Sequence, residues 1–448
     1  MTIRHKNIAL LSTLLIGLTI DAHADTNIIR NDNISTALES SHIFGYTKAM
    51  YVGDDKKGGR LNQSTLGFGG KIGIETGSYY GLSFKGAWYT TQDFGRNSTN
   101  PKKIDAYMFN LNKKPYSVIG ESQIQLNFGK NTAILGRQEI SSPLIDSYEY
   151  RIIPNLFQGL TLTNKDFDNT TLTTAYISKM SGLDGLVSFS DFRSMSQQAY
   201  TSLMLTPSGA VDAKNGETAD LSKIAGNHGV ILAGFSYKKE HALQFWNYYG
   251  INTLNTFYFD GKFKYKINQN LLAGFDFQAY HVSAVGKTKR YLAQHNLNAD
   301  YWLSGVKTIL NHSPSGWGAA FAYNQFTGNQ HTVTTNGNWG GYPEFVGMPY
   351  VYPENQGISG IARSHLTKFT ISLDLGPYGF KDKNFIFGHT RINLDESILA
   401  GSDITINSLI YKAKFTPQLS TRMAIEARNS GNARYNNKFI AMSLRYDF

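Results

Sequence analysis

The sequence predicts an all-β protein: a transmembrane antiparallel up-and-down β-barrel of about 18 strands, with long extracellular loops and short periplasmic turns. Three observations carry this. Segments of roughly ten residues alternate between apolar and polar side chains, the period of a strand with two unlike faces. The links between segments are in turn very short and very long, as in barrels that cross a membrane. No stretch beyond the N-terminal region approaches the roughly 20 apolar residues of a membrane helix. Aromatic residues nonetheless make up 13% of the chain, with 27 Tyr and 27 Phe, enough to supply interfacial girdles.

In chain order, residues 1–24 read as a signal peptide. Arg4, His5 and Lys6 are its basic start. Residues 8–20 are an apolar core too short to span, and Ala22-His23-Ala24 is a small-residue cleavage site. Export by the Sec pathway to the outer membrane of a Gram-negative bacterium is the expectation. Residues 25–42 are polar and lack a clear period, so they are expected in the periplasm. The barrel itself is expected over 43–448. The 448 residues carry a formal charge of +10 and no cysteine, which excludes disulfides. A basic exported protein meets lipopolysaccharide or anionic solutes. No recognition-helix or zinc-finger pattern points to nucleic acid.

The strands are read at 43–52, 64–75, 80–90, 118–128, 131–137, 159–165, 170–179, 229–238, 242–250, 256–267, 270–281, 295–308, 316–326, 366–375, 384–393, 403–415, 419–430 and 436–448. An even count brings both ends of the barrel to one side. Short links sit at Gly129-Lys130, Asp166-Asn169, Lys239-Glu240, Asn268-Gln269 and Thr416-Pro417. Long ones cover 91–117, 138–158, 180–228, 327–365 and 394–402.

The clearest strands identify the two faces. Over 366–375, Phe369, Ile371, Leu373 and Leu375 oppose Lys368, Thr370, Ser372 and Asp374. Over 256–267, Phe257, Phe259, Phe263 and Tyr265 oppose Asp260, Lys262, Lys264 and Lys266. Lys or Arg facing mid-bilayer costs roughly 2–4 kcal/mol, so the charged face looks into a lumen. A charged lumen holds water and makes a pore. Across the last strands, the polar positions supply a basic ladder of Arg391, Lys412, Lys414, Arg422, Arg428 and Arg445. A guanidinium fork pairs a carboxylate through two parallel hydrogen bonds, and successive weak sites let the ion move on.

The stretch 438–448 alternates strictly, with Ile440, Met442, Leu444, Tyr446 and Phe448 on one face. Two aromatics stand where a membrane strand meets the headgroups. The pattern resembles the signal by which the β-barrel assembly machinery recognises its substrates, with Tyr446 and Phe448 as its core.

Residues 138–158 are punctuated by Pro143 and Pro154 and read as a loop. Their apolar side chains, among them Leu144, Ile152, Ile153 and Phe157, would not stay splayed in water. Folding into the barrel mouth buries them, narrows the pore and puts Asp146, Glu149 and Arg151 beside the lumen. Pro143-Leu144, then Glu149, Arg151, Pro154, Phe157 and Gly159, resemble a motif of the OprD family of outer-membrane porins. Asn324-Gln325-Phe326-Thr327-Gly328 and Gly376-Pro377-Tyr378-Gly379 are similar to further family segments. Glu149 stands where the family usually has Asp, and Gln158 where it has Glu. The resemblance implies an 18-stranded monomer rather than a trimer, with inward loops and a narrow channel. It also implies uptake of small carboxylate-bearing solutes along basic lumen side chains.

The function expected is therefore a passive diffusion channel for small anionic solutes such as carboxylates and amino acids. One alternative is a channel for neutral or aromatic solutes or sugars, suggested by Trp339, Tyr342, Phe345, Tyr350 and Tyr352. Another is an adhesion or structural barrel acting through its long loops. An outer-membrane lipase or protease would need a nucleophile beside a base. Neither a G-x-S-x-G elbow nor an H-E-x-x-H helix occurs. No enzymatic activity, cofactor or metal is expected. The expected partners are membrane lipid, lipopolysaccharide, the assembly machinery and the solutes.

Overall fold

A computed structural model describes residues 33–105, 108–110, 112–148, 151–182, 190–197, 204–205, 217–218, 221–334, 339–346 and 362–448. The expected signal peptide and residues 25–32 lie outside these. Eighteen antiparallel strands close into one barrel. They are β1 (His42–Lys56), β2 (Gln63–Glu75), β3 (Leu82–Gln92), β4 (Tyr116–Phe128), β5 (Asn131–Gln138), β6 (Leu156–Asn164) and β7 (Thr170–Ser181). Then come β8 (Val230–Lys238), β9 (Ala242–Gly250), β10 (Leu254–Lys266), β11 (Leu271–Ala284), β12 (Tyr301–His312) and β13 (Trp317–Phe326). The last are β14 (His365–Asp374), β15 (Lys383–Asn393), β16 (Ile404–Lys414), β17 (Leu419–Ser430) and β18 (Asn437–Asp447). Each pairs with its neighbour in sequence, and β1 closes the sheet on β18. Closure leaves no free edge.

Several boundaries differ from the sequence reading. Residues 295–300, read as the start of a strand, lie instead between a helix (Gly286–Gln294) and β12, which runs from Tyr301 to His312. Strand β1 continues through residues 53–56, which read as loop, because β18 pairs with it through Lys56 and β2 through Asp54. Residues before it are not featureless. A short helix α1 (Ile34–Glu39) is capped by the Asn33 side chain, and its Ala37 carbonyl accepts from Gly77 N in the turn after β2.

The period-two pattern sorts the side chains as a membrane barrel requires. Ile72, Phe84, Leu135, Leu160, Phe321, Phe387 and Leu444 are exposed on the outer surface. Near the short turns the outer surface is aromatic, with Tyr80, Phe128, Phe167, Trp317, Tyr378 and Tyr446. The inner surface is polar near the turns but not throughout. Towards the long loops it becomes a packed core in which Tyr248, Tyr280, Tyr301, Ile392 and Ile404 bury themselves against loop residues Leu144, Ile145 and Trp339. Loop residues thus pack against the inner wall in the upper lumen.

Candidate channel constriction

Residues 139–148 and 151–155, between β5 and β6, lie across the lumen. Ser142 N donates to Ile145 O at 2.9 Å and Ser147 N to Ile140 O at 2.7 Å, which folds the first half into a tight hairpin. The far half is held by β1 and β2. Tyr46 Oη donates to Ile152 O at 2.7 Å, and Lys48 Nζ donates to Arg151 O at 2.8 Å. The Ile152 side chain enters a notch on the inner face of β2, where Gly67 and Gly69 have no Cβ. An added one would come within 2.8 Å and 2.9 Å of it. Arg422 Nη1 donates to Tyr148 Oη at 3.2 Å from β17, and Leu144 N donates to Tyr248 Oη at 3.3 Å from β9. One loop therefore touches β1, β2, β9 and β17.

A second loop, within 327–364, braces the first. Trp339 N donates to Leu144 O at 2.8 Å and its Nε1 to Met195 O at 3.0 Å, tying three loops together. Phe345 N donates to Gln278 Oε1 at 2.8 Å, Val346 N to Asn324 Oδ1 at 2.7 Å, and Tyr280 Oη to Glu344 Oε1 at 2.9 Å. Residues 339–346 of this loop thus lie inside the barrel. This bracing role was not legible in the sequence. The loop's aromatics were the only signal, and they pointed equally to an external binding surface.

Asp146 sits in the first loop. Burial pushes its carboxyl up to about 7, against hydrogen bonds from Ser141 and from Ser147 N, while the Glu139 carboxylate pushes the same way as burial.

Below the loops the wall is charged, and unevenly so. On β14 to β18 and β1 the inward positions include Lys368, Lys412, Lys414, Arg422, Arg428, Arg445 and Lys48. The register ranks them: Lys412 lies opposite Arg422, and Arg445 lies opposite Lys48 one inward step nearer the periplasm. Arg445 pairs with Asp447 at 2.6 Å and lies 3.9 Å over the Tyr46 ring. On other walls cations and carboxylates interlock. Glu121 takes Lys71 at 3.2 Å, Lys85 at 2.9 Å and Tyr89 Oη at 2.7 Å. Asp260 takes Gln244 Nε2 and Tyr258 Oη, both at 2.7 Å.

Three residues depart from their expected places. Arg391 is not in the lumen: it shares a face with Phe385, Phe387 and His389 and points outward, 3.9 Å from Asp403. The inner face of β15 is Asn384, Ile386, Gly388, Thr390 and Ile392, and its Ile386 and Ile392 join the apolar clusters that include the loop residues. Arg151 does not line the open path but is buried at 3% exposure, its Nη2 donating to Asn155 Oδ1 at 2.8 Å. Phe157 belongs to β6, not the loop, and is fully buried. Pro154 is buried in the loop, and Glu149 lies outside the described residues. Tyr446 and Phe448 point outward, about half exposed. Lys414 is exposed at the periplasmic end of β16.

A closed eighteen-stranded barrel with a charged inner wall and loops folded into its mouth is the architecture of an outer-membrane porin. The sequence profile of the OprD family of outer membrane porins matches residues 71–342, and the chain belongs to that family. It is therefore an outer-membrane channel protein. The fold is similar to Pseudomonas aeruginosa OccK9 (OpdG), with a TM-score of 0.72 at 13% identity, covering 92% of this chain and 99% of that one. It is similar to Acinetobacter baumannii OccAB1, with a TM-score of 0.69 at 15% identity, covering 92% and 97%. It is also similar to Pseudomonas aeruginosa OpdK, solved with vanillate, with a TM-score of 0.69 at 12% identity, covering 92% and 99%. No curated protein matches the chain in sequence.

Proposed function

We propose that the protein is a passive, anion-preferring channel for small carboxylate-bearing solutes. The observation that carries this is the uneven inner wall. Lys368, Lys412, Arg422, Arg428, Arg445 and Lys48 line β14 to β18 and β1, where the inward carboxylates are Asp374, Glu426, Asp447 and Asp54. A narrow, low-dielectric wall focuses the field of such cations on the solute path. The loop tied to Tyr46, Lys48 and Arg422 holds the path against this basic wall. A carboxylate descending past it meets Arg422 and Lys412 first, then Arg445 and Lys48, each a charge-assisted partner weak enough to release it. OpdK was solved with vanillate, a carboxylate, which favours the same solute class here. The inward packing of residues 339–346 favours a channel over an adhesin. The protein is proposed to act as a monomer, without enzymatic activity, after Sec export and insertion by the assembly machinery. The test is the reversal potential of purified protein in a planar bilayer under a KCl gradient. Anion preference supports the reading; cation preference, or no preference with uptake of neutral sugars, overturns it.

A further inference from the structure

The outward position of Arg391 marks a second feature. Across β14 to β18 the outer surface changes character in a single register step. One row, Ile371, Phe387, Leu409, Ile425 and Ile440, is wholly apolar. The next row towards the long loops is Phe369, His389, Asn407, Ala427 and Lys438, and the one above it is Thr367, Arg391, Thr405 and Asn429. Apolar rows belong among acyl chains, and a polar row belongs in the headgroup layer. The step therefore places the outer boundary of the hydrocarbon at the first row, with Arg391 and Lys438 just above it.

Both cations are exposed and aim away from the lumen. No solute in the channel can reach them. Arg391 has Asp403 at 3.9 Å, with both side chains well exposed, and a pair so loose gains little in water. Asp55 lies opposite Lys438 in the register, but its carboxylate lies 3.5 Å from Lys57 instead. His365 and His389 also titrate near these rows, and His389 Nδ1 is engaged with Asn407 Oδ1 at 2.9 Å; outward Lys383, Tyr411 and Tyr446 lie nearer the short turns. The anions that reach this depth on the outer side of an outer membrane are the phosphates of lipid A. Arg391 and Lys438 stand roughly 15 Å apart, across three strand spacings. Lipid A likewise carries its two phosphates at opposite ends of a disaccharide.

We propose that the outer face of β14–β18 is a lipopolysaccharide docking surface, with Arg391 and Lys438 holding the lipid A phosphates. The proposal rests on the outer-membrane location and not on the ion preference of the pore. Folded protein in detergent is titrated with deep-rough lipopolysaccharide and with the same lipid after phosphatase treatment, and bound lipid is counted by native mass spectrometry. Wild-type protein should bind the phosphorylated lipid at least tenfold more tightly. Arg391→Gln/Lys438→Gln should lose at least tenfold of that affinity while its single-channel conductance stays at the wild-type value. Equal binding of the two lipids by the wild type overturns the proposal without recourse to any variant. Unchanged affinity in a conducting double variant overturns it as well.

Discussion

The ring of Phe448 lies against the bare Cα of Gly45. A Cβ at position 45 would stand 2.9 Å from Phe448 Cζ and 2.2 Å from the Lys71 carbonyl oxygen. The two residues also exchange backbone hydrogen bonds, Gly45 N to Phe448 O at 2.9 Å and Phe448 N to Gly45 O at 3.0 Å. This pair extends the β1–β18 ladder beyond Tyr46 and Asp447 and completes the seam that closes the barrel. An aromatic ring covering a strand glycine shields backbone that would otherwise be open to lipid.

Gly45→Val should therefore disturb closure as strongly as Phe448→Asp, although only the latter alters the proposed assembly signal. Wild-type protein should migrate as a compact species when unheated in detergent gels and near full mass after boiling. Both variants should show markedly less of the compact species. If Gly45→Val assembles normally while Phe448→Asp fails, the seam is tolerant and Phe448 acts through recognition alone.

Ile152, seated in the notch beside Gly67 and Gly69, offers a direct handle on the constriction. Truncating a buried Ile to Ala costs about 2–5 kcal/mol in a packed core. Tyr46→Phe removes the donor to Ile152 O, worth about 1 kcal/mol. The variant carrying both changes should release the far half of the loop and raise single-channel conductance, as deletion of residues 141–155 should. Wild-type conductance in correctly folded forms of both would show that the loop does not limit flow.

Much of this was legible locally. The alternation in β14, β17 and β18 places Lys368, Arg422, Arg428 and Arg445 inward from the sequence pattern, because a charge facing acyl chains is costly. The pattern failed where that contrast fades. On the inner face of β15, Ile386 and Ile392 join apolar clusters that include loop residues and are as apolar as the outward Phe385 and Phe387, so the pattern assigns Arg391 to the wrong side. The loop anchors were also hidden. Tyr46, Gly67, Tyr248 and Trp339 meet residues 139–155 only after the barrel closes, and no local period announces a contact between residues so far apart in the chain.

Asp146 should make the proposed constriction sensitive to pH. Its carboxyl is raised by burial from an ordinary value near 4 to about 7. Between these values the folded loop holds a proton that the unfolded chain has released. The associated stability is complete below about pH 4 and is lost as pH rises through 7. Above pH 7 a negative charge also appears in the loop, beside Glu139. Anion preference should then weaken between pH 6 and 8, and Asp146→Asn should flatten that change. A selectivity profile identical in wild type and Asp146→Asn would assign any pH dependence to other groups.

The cations of the basic wall should matter unequally. Lys412 and Arg422 face each other in the register beneath the loop, and Arg422 also touches Tyr148 at its edge. Arg445 is already paired with Asp447, so part of its charge is neutralised. Arg428 stands six residues from Arg422, about 20 Å along the strand, with Glu426 between them. Replacement by Gln keeps polarity and removes charge, so folding should survive. The shift of reversal potential towards cations should be largest for Lys412→Gln and Arg422→Gln, smaller for Arg445→Gln, and smallest for Arg391→Gln, which faces lipid. Each shift should shrink as salt rises, since screening acts over about 8 Å near physiological ionic strength. Carboxylate uptake into liposomes should slow in the same order at low solute concentration. An Arg391→Gln effect equal to that of Arg422→Gln would contradict the outward placement of Arg391. Equal effects at all the lumen positions would mean that the whole basic wall, rather than the step beneath the loop, sets the preference.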